Sequence, residues 1–392
     1  MISVSETIGI LKANIEILGT EKRPLIDALD HVLSSDVLAK VNVPSFDNSA
    51  MDGYAICFEN GKNEYQVAHQ IQAGDTNTYY LKANEAARIY TGAPVPSNAN
   101  AVIQQELVSA SESLISFDPG KIKLGMNIRT TGSQCAQNQL IASKGLLINS
   151  AILGLLASAG VFEVEVFKKP VVSVIITGDE LQKPNHELEF GQIYNSNEFA
   201  LVGLLKSLGI AQIKTYQVID ELTEVEKTIQ TALGDSDFLI LTGGVSVGDY
   251  DFVKLALEKN QVNTLLYKVK QKPGKPLFVG KKHDQWVFAL PGNPAAVITC
   301  FNQYVKPSLL AICGVQNSFE PLAVLPLKNS FKKSQGLAFF VKGRFDYQGV
   351  EILQGQESFN LLSFNVANCI VKIDENTESL EIGSLVEVYP LD

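Results

Sequence analysis

The chain has 392 residues, 46% hydrophobic and 19% charged, with a formal net charge of -10 at neutral pH. At about 150 residues per domain that is two to four packed domains, and the apolar content excludes bulk disorder. The acidic balance argues against nucleic acid or an anionic membrane as the main partner, since either favours a basic face.

The first residues, Met1 to Glu6, carry no basic stretch followed by an apolar one, so no signal peptide is read. The run 151–161 is too short to span a bilayer and contains two glycines. Five scattered cysteines (Cys57, Cys135, Cys300, Cys313, Cys369) with no Cys-x-x-Cys favour reduced thiols and a cytoplasmic protein. The four histidines are isolated, which leaves a zinc site little support.

Taken in chain order, residues 3–18 carry a helical stripe at Val4, Ile8, Leu11 and Ile15, which Ser3 or Ser5 could cap and Gly19 could end. A second short helix is expected over 24–33. From Phe46 to about Ser143 the chain is rich in β-formers, glycine and proline and reads as β-rich. A helix over 150–160 and a strand over 161–167 lead to a boundary at Lys168-Lys169-Pro170. From Pro170 to about Cys313 strands and helices alternate. Asn197 can cap a helix that turns Phe199, Val202, Leu205 and Leu208 inward. Thr223 can cap the next, through Val225, Ile229 and Leu233. Such steps predict a right-handed, mostly parallel sheet. Short strands return over 323–327, 338–341, 350–353, 369–373 and 385–388, as in a small β-barrel or sandwich.

The expected fold class is therefore α/β plus β and multidomain. A central doubly wound, mostly parallel α/β domain (169–315) sits between a β-rich N-terminal half and a small C-terminal β-barrel (320–392). The N-terminal half divides into a helical linking domain (1–45 with 144–168) and an inserted β-rich domain (46–143).

Five loops follow apolar runs of the α/β segment: Thr177-Gly178-Asp179-Glu180, Asp220, Thr242 to Asp251, Lys272-Pro273-Gly274-Lys275-Pro276, and Pro291-Gly292-Asn293-Pro294. Ligands of open α/β sheets bind outside the carboxyl ends of the strands. Gly243 and Gly244 let successive N–H groups converge on an anion, although a Gly-Gly turn alone is more often only a turn. No Gly-Lys-Ser/Thr ending follows, so a nucleoside triphosphatase loop is not implied. Lys272 and Lys275, held between prolines, suit a phosphate or a tetrahedral oxyanion as well as they suit a stiff exposed turn. The carboxylates Asp179, Glu180, Asp220 and Asp251 would repel one another unless a cation or a ligand sugar lay between them. Mg²⁺ takes such oxygens together with substrate phosphates. In the other half, 46–55 and the stiff turn Thr91 to Pro96 read as ordinary loops from periodicity alone.

In this order, the stretches 46–55, 90–96, 177–181, 191–197, 242–251, 272–276 and 290–294 resemble the molybdopterin molybdenumtransferases, the family to which gephyrin's C-terminal domain is also related. The resemblance implies molybdenum insertion into adenylylated molybdopterin, with molybdate as second substrate, Mg²⁺ as cofactor and AMP released. It implies a homodimer in which the N-terminal half of one subunit faces the pterin domain of the other, and an upstream molybdopterin adenylyltransferase as a possible partner. Carried over, Asp52, Thr91, Glu180, Asp220 and Asp251 correspond to catalytic positions, with Asp52, Asp220 and Asp251 near the metal. Asp179, Gly243, Gly244, Ser246, Lys268, Lys272, Lys275, Pro291, Asn293 and Pro294 correspond to substrate contacts. Lys342, where relatives often have arginine, and Ser358 correspond to molybdate contacts. Two departures stand out. Gln134 replaces an acid, with no Asp or Glu from 119 to 162, and Ala296 stands where relatives often have serine. The Gln134 change leaves a weakly active pterin-binding scaffold open as an alternative. Nucleotidyl transfer by an adenylyltransferase-like protein is the other, which the long N-terminal half argues against.

Overall fold

A computed structural model describes residues 1–244 and 252–391. The chain divides into two compact units. One holds Met1–Glu21, Asp30–Ser34 and Val166–Asp392; the other holds Lys22–Leu29 and Ser35–Glu165.

The second unit is built on a six-stranded sheet in the order Ala101–Gln104, Gly53–Ile56, Glu85–Ile89, Glu64–Ile71, Leu114–Phe117, Val108–Ser111. Its strands carry apolar side chains on both faces, with Ile56, Tyr65 and Ile103 in one cluster and Ile71, Ile89 and Val102 in another. Gly53 is required where it stands, because a Cβ there would collide with the Ile103 carbonyl. The helix Ser150–Ser158 is capped by Asn149, whose side chain accepts from the Ile152 N–H at 3.0 Å. The helix expected over 24–33 does not form. Leu25–Asp27 makes a single 3-10 turn, Asp30 turns left-handed at φ 59°, and Leu33 bridges Val166. The left-handed Asp30 stops the turn from continuing as a helix.

In the first unit a six-stranded sheet runs Ile213–Val218, Val172–Thr177, Phe238–Thr242, Gln285–Leu290, Phe278–Lys282, Asn263–Tyr267. The first four strands are parallel, and Phe278–Lys282 is antiparallel to both its neighbours. The register places Tyr216, Ile175, Leu241, Ala289, Phe278 and Tyr267 in one row across the sheet. Loops leaving Thr177, Thr242, Leu290 and Tyr267 therefore emerge at the same edge. Alternate residues face opposite sides. Ile176, Ile240 and Phe288 pack with Leu201, Leu205 and Val297, while Ile175, Leu241 and Ala289 pack with Val225, Ile229 and Val253. Helices thus cover both faces.

Helix boundaries differ from expectation in detail. Ser196–Ser207 is capped by Asn195, and its buried face is Asn197, Leu201 and Leu205; Phe199 is 63% exposed. A cap two residues earlier rotates the stripe away from Phe199 and Val202. Leu222–Asp235 begins at Glu221 without a side-chain cap, with Val225, Ile229 and Leu233 buried as the pattern required. The opening helix, Val4–Asn14, has a full capping box between Ser3 and Glu6 and stops well before Gly19. Its Val4 and Leu11 belong to the core of this α/β unit, and Ile2 bridges Val269.

The segment after Tyr267 leaves the sheet because Lys268 adopts φ 65°. Gln271–Lys272 then joins a different sheet, parallel to Ala338–Phe339. That sheet continues through Cys369–Ile373, Leu385–Pro390 and Ala323–Pro326. Leu327 bridges Val350 of Gly349–Ile352, which pairs with Ala338–Asp346. One face packs internally through Val341, Val371 and Val388. Ala338, Phe340 and Ile370 pack with Phe301 and Tyr304 of the α/β core.

Candidate functional site

The glycine turn after Thr242 is fixed by close packing. Gly243 and Gly244 have φ 92° and 62°, and a Cβ on Gly243 would meet the Thr177 carbonyl. Only glycine takes this conformation at low cost. Thr242 Oγ1 donates to the Pro291 carbonyl at 3.0 Å and accepts from Asn197 Nδ2 at 3.1 Å. Asn197 Nδ2 also donates to the Gly292 carbonyl at 2.9 Å. Asn197 thus ties the glycine turn to the Pro-Gly-Asn-Pro turn. Asn197 is not the cap that its residue type suggests: it sits two residues after the cap Asn195, on the helix's buried face.

Asp179 Oδ1 accepts the Asp220 backbone N–H at 3.0 Å, so these two loops are joined through one carboxylate. Glu180, together with Thr177, Tyr194, Asn197, Gly243, Pro291, Asn293 and Pro294, lines a cavity of about 640 Å³ at the sheet edge. A second cavity, of about 580 Å³, is lined by Lys272, Lys275, Asn293, Ala296, Phe339, Gln356 and Ser358. The two share Lys275, Pro276, Pro291 and Asn293 as a common wall. Asn293 Nδ2 donates to Ser358 Oγ at 3.1 Å and the Ala295 N–H donates to the Ser358 carbonyl at 3.1 Å, which docks the 355–360 loop on the Pro-Gly-Asn-Pro turn. Lys272 Nζ stands 5.3 Å from the Phe339 ring centroid.

Asp179, Asp220 and Gly244 line neither cavity, and two expected lysine contacts are placed elsewhere. Lys342 is 4% exposed. Its ammonium donates to the carbonyls of Asn360 at 3.2 Å and Glu357 at 3.4 Å and lies over the Phe364 ring. Burial lowers its pKa, opposed by the Glu357 charge. It supports the loop that carries Ser358 and does not line the cavity, because its strand turns it inward. Lys268 lines neither cavity; its ammonium rests 4.7 Å from the Tyr267 ring. Ser246 and Asp251 lie outside the described residues.

In the other unit, Asp52 Oδ1 accepts from both the N–H and the hydroxyl of Thr91, each at 2.8 Å. These bonds hold its pKa below the ordinary aspartate value, with Arg88 adding to the effect. Asp47 repeats the pattern with Thr131, at 2.7 and 2.8 Å. Gln134 is exposed, and its N–H donates to the Val43 carbonyl at 2.8 Å.

A mixed α/β sheet with a glycine-lined cavity at its edge and a second, lysine-bearing cavity beside a C-terminal sheet define a multidomain α/β-plus-β protein. Residues 2–160 match the MoeA N-terminal region (domains I and II), 173–311 a probable molybdopterin binding domain, and 324–391 the MoeA C-terminal region (domain IV). The chain belongs to the MoeA family. It is 32% identical over 400 residues to the molybdopterin molybdenumtransferase of Staphylococcus epidermidis, covering 99% of this chain and 95% of that one. It is 33% identical over 386 residues to that of Haemophilus influenzae, covering 95% and 94%. The crystal structure of the molybdopterin biosynthesis MoeA protein from Pyrococcus horikoshii superposes with a TM-score of 0.81 at 27% identity, covering 100% of both chains.

Proposed function

We propose that this protein inserts molybdenum into adenylylated molybdopterin, taking it from molybdate and releasing AMP to leave the molybdenum cofactor. The observation that carries this reading is the pair of cavities sharing the wall of Lys275, Pro276, Pro291 and Asn293. Two ligands can meet across such a wall. The glycine-edged cavity suits the phosphates of the adenylylated pterin, with Gly243 of the glycine turn in its wall. The other offers two ammonium groups and a hydroxyl from Lys272, Lys275 and Ser358 to a tetrahedral dianion. Catalysis would then rest largely on holding molybdate beside the dithiolene sulfurs. The architecture that goes with it is a doubly wound α/β core and a C-terminal barrel closed at the Leu327–Val350 bridge.

Mg²⁺ fits the donor set in a limited sense. Asp179, Glu180 and Asp220 are carboxylates on neighbouring loops of the sheet edge, and hard oxygens are what this ion takes. Among the described residues no group of three or more His, Cys, Asp or Glu is close enough to hold a metal by itself. The protein would hold the ion through Asp220 and Asp251, with Asp52 as third candidate, and substrate phosphates would supply the rest. When bound, it neutralises phosphate charge and acts as a Lewis acid. Asp52 and Thr91 would act from the N-terminal half of a second copy in a homodimer. An upstream adenylyltransferase would deliver the substrate. A cytoplasmic setting suits it, and among the described residues no helix is long and apolar enough to cross a membrane.

Gln134 in place of the family acid favours one other reading, a pterin-binding scaffold of low activity. Purified protein given adenylylated molybdopterin, Mg²⁺ and molybdate decides between them. Molybdate-dependent AMP release supports the transferase. Tight binding of the adenylylated pterin without AMP release supports the scaffold.

A further inference from the structure

Gln271, 1% exposed, lies between the α/β core and the C-terminal sheet. Its Nε2 donates to the carbonyls of Pro273 and Gly274, both at 3.1 Å, and stands 3.5 Å from Cys300 Sγ. Both amide hydrogens are therefore spent on the tip of the loop that carries Lys272 and Lys275. An amide can be turned end for end at little steric cost, and with its oxygen toward those carbonyls it would repel them. Those carbonyls, which can only accept, set the amide's direction, and the fully buried Tyr304 hydroxyl donates to Gln271 Oε1 and anchors the amide from its other end. Tyr304 belongs to a π-helical turn, Phe301–Val305, inserted after Pro294–Cys300. Single π turns inside helices occur often at functional sites. The Tyr304 ring is set edge-on to Phe340, with centroids 6.5 Å apart.

We infer that Gln271 and Tyr304 form a positioning clamp that sets where Lys272 and Lys275 stand in the oxyanion cavity. Tyr304 anchors the amide, the amide holds two successive carbonyls, and the lysines flank those carbonyls on either side. Tyr304 does not line the cavity; Gln271 does, but both ends of its amide are already bonded within the protein. The effect of the pair is on the anion's affinity, through the fixed spacing of two otherwise long and mobile ammonium groups. The clamp rests on the reading that Lys272 and Lys275 bind an oxyanion.

The test is molybdate binding to the full-length protein by calorimetry, alongside thermal melting, for Tyr304→Phe, Gln271→Met, the double variant, Lys275→Met and Asn302→Ala. Asn302 is a control: it lies on the same π turn, is also buried, and donates to the Pro390 carbonyl at 2.7 Å, away from the loop. Tyr304→Phe is expected to weaken molybdate binding about three- to tenfold, the range of one ordinary hydrogen bond. Gln271→Met should weaken it at least as much. The double variant should be no worse than Gln271→Met alone, because the hydroxyl acts only through the amide. Asn302→Ala should lower the melting temperature and leave molybdate affinity within about twofold, since its bond lies outside the clamp. Wild-type affinity in Tyr304→Phe, additive losses in the double variant, or an equal loss in Asn302→Ala would each overturn the clamp. Wild-type affinity in Lys275→Met would overturn the oxyanion reading along with it. Weakened binding in Lys275→Met with none in Tyr304→Phe would overturn the clamp alone.

Discussion

Replacing Gly274 by alanine tests the packing under the two lysines. Gly274 has φ 86°, and a Cβ there would collide with Cys300 Sγ and approach Gln271 Nε2 to 2.8 Å. Cys300 is fully buried, and burial pushes its thiol up to about 12, so it stays a neutral, space-filling group. Two costs follow: about 1–2 kcal/mol for a left-handed non-glycine residue, and about 1–3 kcal/mol for overpacking. The sum, about 2–5 kcal/mol, should lower the melting temperature of this unit by roughly 4–20 °C at about 2–4 °C per kcal/mol. The second cost depends on the sulfur. Cys300→Ala in the same chain should therefore return about 1–3 kcal/mol of it, leaving the conformational cost in place. Urea unfolding of wild type, both single variants and the double variant measures that coupling. A Gly274→Ala cost below about 0.5 kcal/mol, the size of an ordinary surface change, or strictly additive variants, would refute the reasoning.

Asp52→Asn should lower AMP release at least tenfold and barely move the melting temperature, because Asp52 is exposed and its Thr91 bonds can be kept by an amide oxygen; normal turnover would remove Asp52 from the catalytic set. Gln134→Asp should raise AMP release or leave it unchanged, since the position is exposed and the change restores the family acid; a clear loss would show the position misassigned. Lys342→Met should raise the molybdate KM and cost about 1–3 kcal/mol in unfolding, through loss of charge-assisted bonds to the Glu357 and Asn360 carbonyls; an unchanged KM would break its link to Ser358. Glu387, bonded to Lys372 and Tyr389, has a folded pKa below its ordinary 4.5. A lowered carboxylate pKa gives stability that is present above 4.5 and lost as pH falls through the folded value. Glu387→Gln should therefore flatten the melting-temperature profile below pH 4.5 relative to wild type, and an identical acid limb in both would contradict it.

Much of the fold was legible because the α/β segment obeys simple periods. Val225, Ile229 and Leu233 are spaced as an amphipathic helix and are buried together, and 369–373 is a short, nearly continuous apolar run that became a strand buried on both faces. The misses have local causes. Asn195 competed with Asn197 for the cap, and the wrong choice turned Phe199 inward. A left-handed Asp30 cut short a helix that composition allowed. In the site, loop chemistry was readable and side-chain direction was not. Lys272, Lys275 and Ser358 line one cavity as their residue types suggested. Lys342 was given the same task, but strand geometry buries it against carbonyls. Tyr304 and Asn197 had no signal of their own, since their roles depend on contacts 33 to 95 residues away in sequence, and Gln271 is anchored on its neighbouring loop by the distant Tyr304.

The most direct measurement counts molybdenum retained on the pterin against AMP released in one reaction mixture containing adenylylated molybdopterin, Mg²⁺ and molybdate. Insertion requires the two to rise together in equal amounts, and both to fall in Lys275→Met. AMP released without molybdenum on the pterin, or no AMP at any molybdate concentration, would contradict the account.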